Sequence, residues 1–223
     1  MLLNIDLRFV EVLYELNATE RYISLFEGQL PILVKQEEDK ALDRIREERL
    51  DMDDGETDLI RQELYDLTEN VLPRFFRNAI LVTLWSIFES AMIDIANELQ
   101  SAQQRALGID DIKGDFLERT NKYFRHIVNF PLNVSGKEWQ RINMLKVLRN
   151  AIAHCNGRFE NITKDKDKKE IRKWEKANIG ISVEMFGNLM FSKPFVAETF
   201  YCVNNFLTSV IAEVKRGTPS HNF

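Results

Sequence analysis

Glycine and proline are spread so thinly through this chain that long helices are the regular structure it can most easily build. Nine glycines and five prolines stand far apart among 223 residues, so few positions interrupt a continuous 3.6-residue repeat. From Asp6 to about Leu50, Phe9, Leu13, Leu16, Ile23, Phe26, Leu30, Leu33 and Val34 recur at three- and four-residue spacing. That pattern predicts a helix pair or one long bent helix. The tract Lys35 to Asp54 interleaves acids and bases around Leu42 and Ile45, and is expected as a solvated surface helix ending at the Asp-Asp-Gly of 53–55.

A second helical pattern starts near Thr57 and meets Pro73, which is expected to kink or divide it because proline lacks a donor and clashes with the preceding turn. A new helix is expected from Arg74 to about Gln100. Its segment from Ile80 to Phe88 is apolar nearly all round, the mark of the most buried helix, and Glu89 follows as the one acid close to that core. Phe116 to Phe130 reads as an amphipathic helix closed by Pro131. Ser135 and Glu138 form an S-x-x-E capping pattern opening a helix with Trp139, Ile142, Leu145, Leu148 and Ile152 on one stripe, predicted to stop at Asn156-Gly157. Lys164 to Lys176 is a charged tract anchored by Ile171 and Trp174. The alternating Ile179, Ile181 and Val183, then Gly187-Asn188 and Leu189 to Phe191, fit a short β-hairpin. Pro194 opens a last helix through Val214, with a frayed tail from Gly217.

The fold class is therefore mainly all-α, with a short hairpin before the last helix. The expected organisation is an N-terminal helical extension over 1–72, a helical domain over 73–216 and a disordered tail over 217–223. A chain of this length buries roughly 70% of its unfolded surface, enough for a real core.

Charge and cysteine usage narrow the function classes. A net charge of −5 argues against a surface that coats polyanions generally, so any RNA contact must be local. Cys155 and Cys202 lack metal or disulfide spacing. The N-terminus lacks the pattern of a secretion signal, and no apolar run approaches the roughly 20 residues of a membrane span. A cytoplasmic setting without membrane attachment is expected. There is no Gly-rich phosphate loop, no H-E-x-x-H and no carboxylate cluster at metal-ligand spacing, so neither cofactor nor metal is expected.

Chemistry is concentrated in Arg149-Asn150-Ala151-Ile152-Ala153-His154. Asn150 and His154, four apart, share a helix face, whereas Arg149 lies about 140° around from His154. Attack of an RNA 2′-OH on its neighbouring phosphate needs a proton acceptor, a proton donor and stabilisation of added negative charge. Histidine suits the proton transfers and arginine is a bidentate phosphate clamp. One histidine does not easily serve as both acid and base in one step, and no second histidine is near in sequence. Arg and His in a helix's last turns also suit its dipole and its terminal carbonyls, which is the structural alternative. Other histidines and Cys155 offer no dyad: His126 is expected at or near the surface, and neighbouring helix residues such as His154 and Cys155 point about 100° apart.

An arginine and a histidine separated by four residues, the first of them asparagine, resembles the R-x(4–6)-H signature of the HEPN superfamily, over roughly Arg74 to Val214. The resemblance implies a metal-independent endoribonuclease of toxin or phage-defence type, leaving 2′,3′-cyclic phosphate ends. It also implies a homodimer whose two motifs form one composite site, restrained by an antitoxin or other regulatory protein. Arg149, Asn150 and His154 are then the catalytic set. Asn150 is expected to orient His154 or contact phosphate, and Glu89 is a weaker candidate for a supporting acid. Apart from the resemblance, the mixed signs of Lys164 to Lys176 fit a solvated helix better than an RNA-binding arm, with Lys168, Lys169, Arg172 and Lys173 as the alternative flank of a substrate groove. From a different class, the same likeness also admits a catalytically idle module that binds RNA, nucleotide or protein, or mediates dimerisation.

Overall fold

The computed structural model describes residues 9–48 and 54–217. It is mainly all-α, with a two-stranded hairpin before the last helix. In chain order it has α1 (Val10–Glu48), α2 (Asp54–Tyr65), a π-helical segment (Asp66–Val71), α3 (Leu72–Ala102), α4 (Phe116–His126), α5 (Lys137–Cys155), α6 (Asp165–Lys176), β1 (Ile181–Val183), β2 (Leu189–Phe191) and α7 (Lys193–Gly217), with single 3₁₀ turns at Ile109–Asp111 and Phe159–Asn161.

The N-terminal pattern resolves as one helix, with Pro31 inside α1. The charged stretch from Lys35 is largely exposed, as expected of a solvated face, and ends at Glu48; residues 49–53 lie outside the described set. Pro73 does not divide its helix. Six residues of π-helix precede it, and the Leu72 N–H reaches back five residues to the Leu67 carbonyl. The wider ring re-seats the backbone just ahead of the residue that has no N–H to give. The expected division between residues 72 and 73 lies inside this helical run.

Gly55–Ala102 is by length and composition sufficient to cross a membrane: its most apolar 18-residue window has a mean hydropathy of 1.6, and half of that window is buried in the structure. This departs from the expectation that no apolar run approaches the length of a span; scattered polar positions break up its apolar character in the sequence.

The described residues form two compact units whose boundaries each fall within a helix. One comprises 9–20, 82–150 and 197–217; the other comprises 21–48, 54–81 and 151–196. The first is built on aromatics. Phe88 of α3 meets Phe116 (centroids 6.2 Å) and Phe206 (6.1 Å), and Trp139 of α5 meets Phe206 at 5.4 Å. Ile142, Leu145 and Leu148 of α5 are fully buried, each worth roughly 1.5–3 kcal/mol of transfer free energy. Arg141 and Lys137 both pair with Glu198 of α7, at 2.6 and 3.3 Å.

The same unit shortens α4. The sequence pattern runs to Phe130, but the helix ends at His126, Asn129 turns left-handed with φ 51°, and the Phe130 N–H bonds to the Phe124 carbonyl at 2.7 Å. Burying Val128 and setting Phe130 edge-on against Phe124 outweighs another helical turn. The S-x-x-E cap also yields: the Ser135 hydroxyl donates to Asn133 Oδ1 at 3.3 Å, and α5 begins at Lys137.

In the second unit, β1 and β2 pair antiparallel with Ile181 opposite Phe191 and Val183 opposite Leu189. Gly187, at φ 79°, closes the turn with its N–H on the Glu184 carbonyl. A buried ion pair pins three elements together. Arg77 of α3 donates to both Glu27 carboxylate oxygens of α1, at 2.8 and 3.0 Å, and to the Phe191 carbonyl of β2 at 3.0 Å.

Candidate active site

The motif occupies the last turns of α5. The buried line along this helix is Trp139, Ile142, Leu145, Leu148 and Ala151, a strict three-residue step. Such a step falls about 60° short of a full turn each time, so the buried line winds around the helix. Ala151 therefore ends it rather than the expected Ile152, which is only half-buried. Arg149 and Asn150 are half-buried, while His154, the next three-residue step beyond Ala151, is exposed as the helix runs out.

Arg149 and Asn150 are joined. Arg149 Nη1 donates to Asn150 Oδ1 at 3.1 Å, so Asn150 holds the guanidinium beside it rather than the imidazole. Arg149 Nε is buried and has no hydrogen-bond partner among the described residues. A desolvated donor on a cation costs free energy until an acceptor, best an anion, is supplied. The His154 side chain has no hydrogen bond or ion pair among the described residues.

The end of the helix is firmly made. Asn156 and Gly157 are both left-handed, with φ 51° and 70°. The Gly157 N–H returns to the Ala151 carbonyl at 3.1 Å and the Arg158 N–H to the Cys155 carbonyl at 2.9 Å. The stop predicted at Asn156-Gly157 is the one observed. The Cys155 thiol donates to the Asn161 carbonyl at 3.2 Å, so it too is occupied.

Sequence reading passed over Asn78. It lies on α3, only 5% exposed, with a buried Oδ1 that has no partner. A Cβ built on Gly157 would stand 3.4 Å from its Nδ2, so this amide packs on the turn that closes the motif helix. A polar residue just before the apolar run that starts at Ile80 was the available signal. Glu89, by contrast, is engaged within its own helix: its carboxylate accepts from Trp85 Nε1 at 2.9 Å.

Lys168, Lys169, Arg172 and Lys173 line, with Lys176 and Phe159, an open groove of about 580 Å³. Phe159 lies five residues past His154. Its ring carries the Arg172 guanidinium at 4.2 Å and Lys168 Nζ at 5.8 Å. Glu175 accepts from Arg172 at 2.7 Å and from the Val183 N–H at 2.9 Å. The Arg172 hydrogen bond leads in holding its carboxyl below the ordinary range, with the Val183 N–H and the charges of Arg172 and Lys176 helping against desolvation.

No family model matches this chain, and no curated protein or solved structure matches it. The functional reading therefore rests on the residues and their geometry.

Proposed function

We propose that this chain is a metal-independent endoribonuclease of the HEPN type, acting through Arg149, Asn150 and His154. What supports this most is the presence in the last turns of one helix of a partly desolvated guanidinium, held by Asn150 with its Nε unanswered, and of an exposed imidazole that nothing else among the described residues engages. The first is suited to a phosphate and the second to proton transfer.

In the proposed reaction a neutral His154 takes the proton of an RNA 2′-OH, whose oxygen attacks the adjacent phosphorus. Arg149 takes the added charge on the phosphoryl oxygens. The bond from phosphorus to the 5′-oxygen breaks, and a protonated His154 from a second copy of the chain supplies that leaving oxygen with its proton. The products are a 2′,3′-cyclic phosphate and a 5′-hydroxyl. A homodimer supplies both protonation states, because one imidazole cannot hold and lack the proton in the same step. A role in growth arrest or phage defence, under a regulatory partner, belongs to the same proposal.

The test is incubation of pure protein with RNA in excess EDTA, comparing wild type with His154→Ala and Arg149→Ala. Cleavage by wild type alone, with cyclic phosphate ends, is the expected result. Identical behaviour of all three proteins refutes it and leaves a binding module.

A further inference from the structure

The helix α6 reads in sequence as a mixture of signs, Asp-Lys-Asp-Lys-Lys-Glu-Ile-Arg-Lys-Trp-Glu-Lys. Around the helix five cations gather on one side, with Asp165 of the first turn the one acid that falls at the same angles. At about 100° per residue, Lys168, Arg172, Lys176, Lys169 and Lys173 fall within an arc of about 140°, while Ile171 and Trp174 take the opposite side. All five cations line the one groove with Phe159. Glu175 answers one of the five, accepting from Arg172 and from the Val183 N–H. Lys169 and Lys173 are exposed and have no acid within ion-pair distance among the described residues.

Two cations are set in place. Lys168 Nζ donates to the Glu160 carbonyl at 3.0 Å, and Arg172 lies over the Phe159 ring, which orients its planar fork. We infer that this groove is a binding site for the sugar-phosphate backbone of single-stranded RNA. The inference rests on the ribonuclease reading only for the choice of RNA over DNA.

Length and charge select a single strand. From Lys168 to Lys176 the cationic face advances only about 12 Å along the helix, room for a few phosphates of one strand. The chain carries −5, while α6 has six cations against four acids, or +2, which leaves −7 on the remainder. A second strand would bring more phosphates toward that acidic remainder. The groove is open and shallow, so it suits a strand running through it better than an enclosed mononucleotide.

The experiment uses the full chain carrying His154→Ala, so that a labelled single-stranded RNA of about 15 nucleotides stays intact, and reads fluorescence anisotropy in EDTA over a range of salt. Adding Lys169→Gln and Lys173→Gln removes two phosphate contacts. It should flatten the slope of log affinity against log salt by roughly 1.4 and weaken binding about 25-fold at 0.1 M salt. Lys169→Arg with Lys173→Arg should retain binding. Both positions are exposed, so thermal melts of all variants should coincide.

Unchanged affinity and slope in the glutamine variant would overturn the assignment. So would equal or tighter binding of an RNA duplex of the same length or of poly-glutamate, either of which would make the groove a duplex or acidic-protein site. The two readings fail separately. If wild-type protein cuts no RNA yet the glutamine variant loses binding, the groove stands without the ribonuclease. If wild type cuts, and Lys169→Gln with Lys173→Gln leaves both cutting in the chain with His154 intact and binding in the His154→Ala chain unchanged, the ribonuclease stands without the groove.

Discussion

Removing the Glu27 carboxylate should be among the most damaging single changes available outside the apolar core. Its side chain is 7% exposed and that of Arg77 17%, so Glu27→Ala leaves a guanidinium out of water with only the Phe191 carbonyl to answer it. A buried charge stripped of its partner costs about 3–5 kcal/mol. In a chain of this size that lowers the melting temperature by roughly 6–20 °C. The double variant Glu27→Leu with Arg77→Met removes both charges and keeps comparable apolar volume, and should lie within about 1 kcal/mol of wild type. Urea unfolding followed by circular dichroism at 222 nm, run on wild type, Glu27→Leu, Arg77→Met and the double, gives the coupling directly, with Glu27→Ala measured alongside. A double variant no more stable than Glu27→Ala would show that the stranded charge is not what the single variant suffers from, and would refute the reasoning.

Asn150→Ala frees the Arg149 guanidinium and should lower kcat up to about a hundredfold with little change in KM; Asn150→Asp, which keeps an acceptor oxygen, should restore most of it, and steady-state kinetics on a defined RNA decides. Gly180→Ala forces a left-handed φ of 91° on alanine and drives its Cβ to 2.3 Å from Ser192 Oγ and 2.9 Å from Phe195 Cβ, so it should destabilise by more than about 1 kcal/mol, whereas Gly28→Ala, on exposed α1 with nothing within 4 Å, should stabilise by about 0.5–1 kcal/mol; paired melts check both signs. Asp115 caps α4 through the Leu117 and Glu118 N–H groups and meets Lys146 at 3.1 Å; against desolvation, Lys146 and the two backbone donors hold its carboxyl below its ordinary 3.8. A depressed acid favours folding above its unfolded value and loses that contribution as pH falls through the folded one, so acid titration should destabilise wild type below about pH 4 and Asp115→Ala less steeply, while Asp115→Ala itself costs about 1 kcal/mol at neutral pH for the lost cap.

The mainly helical class, the hairpin and the end of the motif helix were legible because each is set by neighbours in sequence: period, turn glycine, left-handed cap. The π-helical joint was not, since Pro73 announces only that an ordinary hydrogen bond is missing and not how the backbone makes it good. The length of α4 was misread because Val128 and Phe130 continue its apolar pattern while serving a turn. At the candidate site, residue types and spacing named Arg149, Asn150 and His154, but only side-chain positions show that Asn150 serves the arginine. Counting signs along α6 hid what angles around it reveal. Asn78 and the Glu27–Arg77 pair depend on contacts with residues distant in sequence, and no local pattern reports those.

The π-helical segment bears on how this chain can change length. A wide turn is what an α-helix becomes when a residue is added and the chain on either side keeps its place. Asp66–Val71 is thus a store of slack, placed just before a helix whose Ile80, Leu84, Phe88, Met92, Ile95 and Leu99 are all buried. Loss of one residue inside α3 would turn those on one side of it by about 100° relative to those on the other. Loss of one residue from the π segment would instead tighten it to ordinary helix, leave α3 in register and pass the rotation to α2. A one-residue deletion should therefore be survivable at that joint and not within α3.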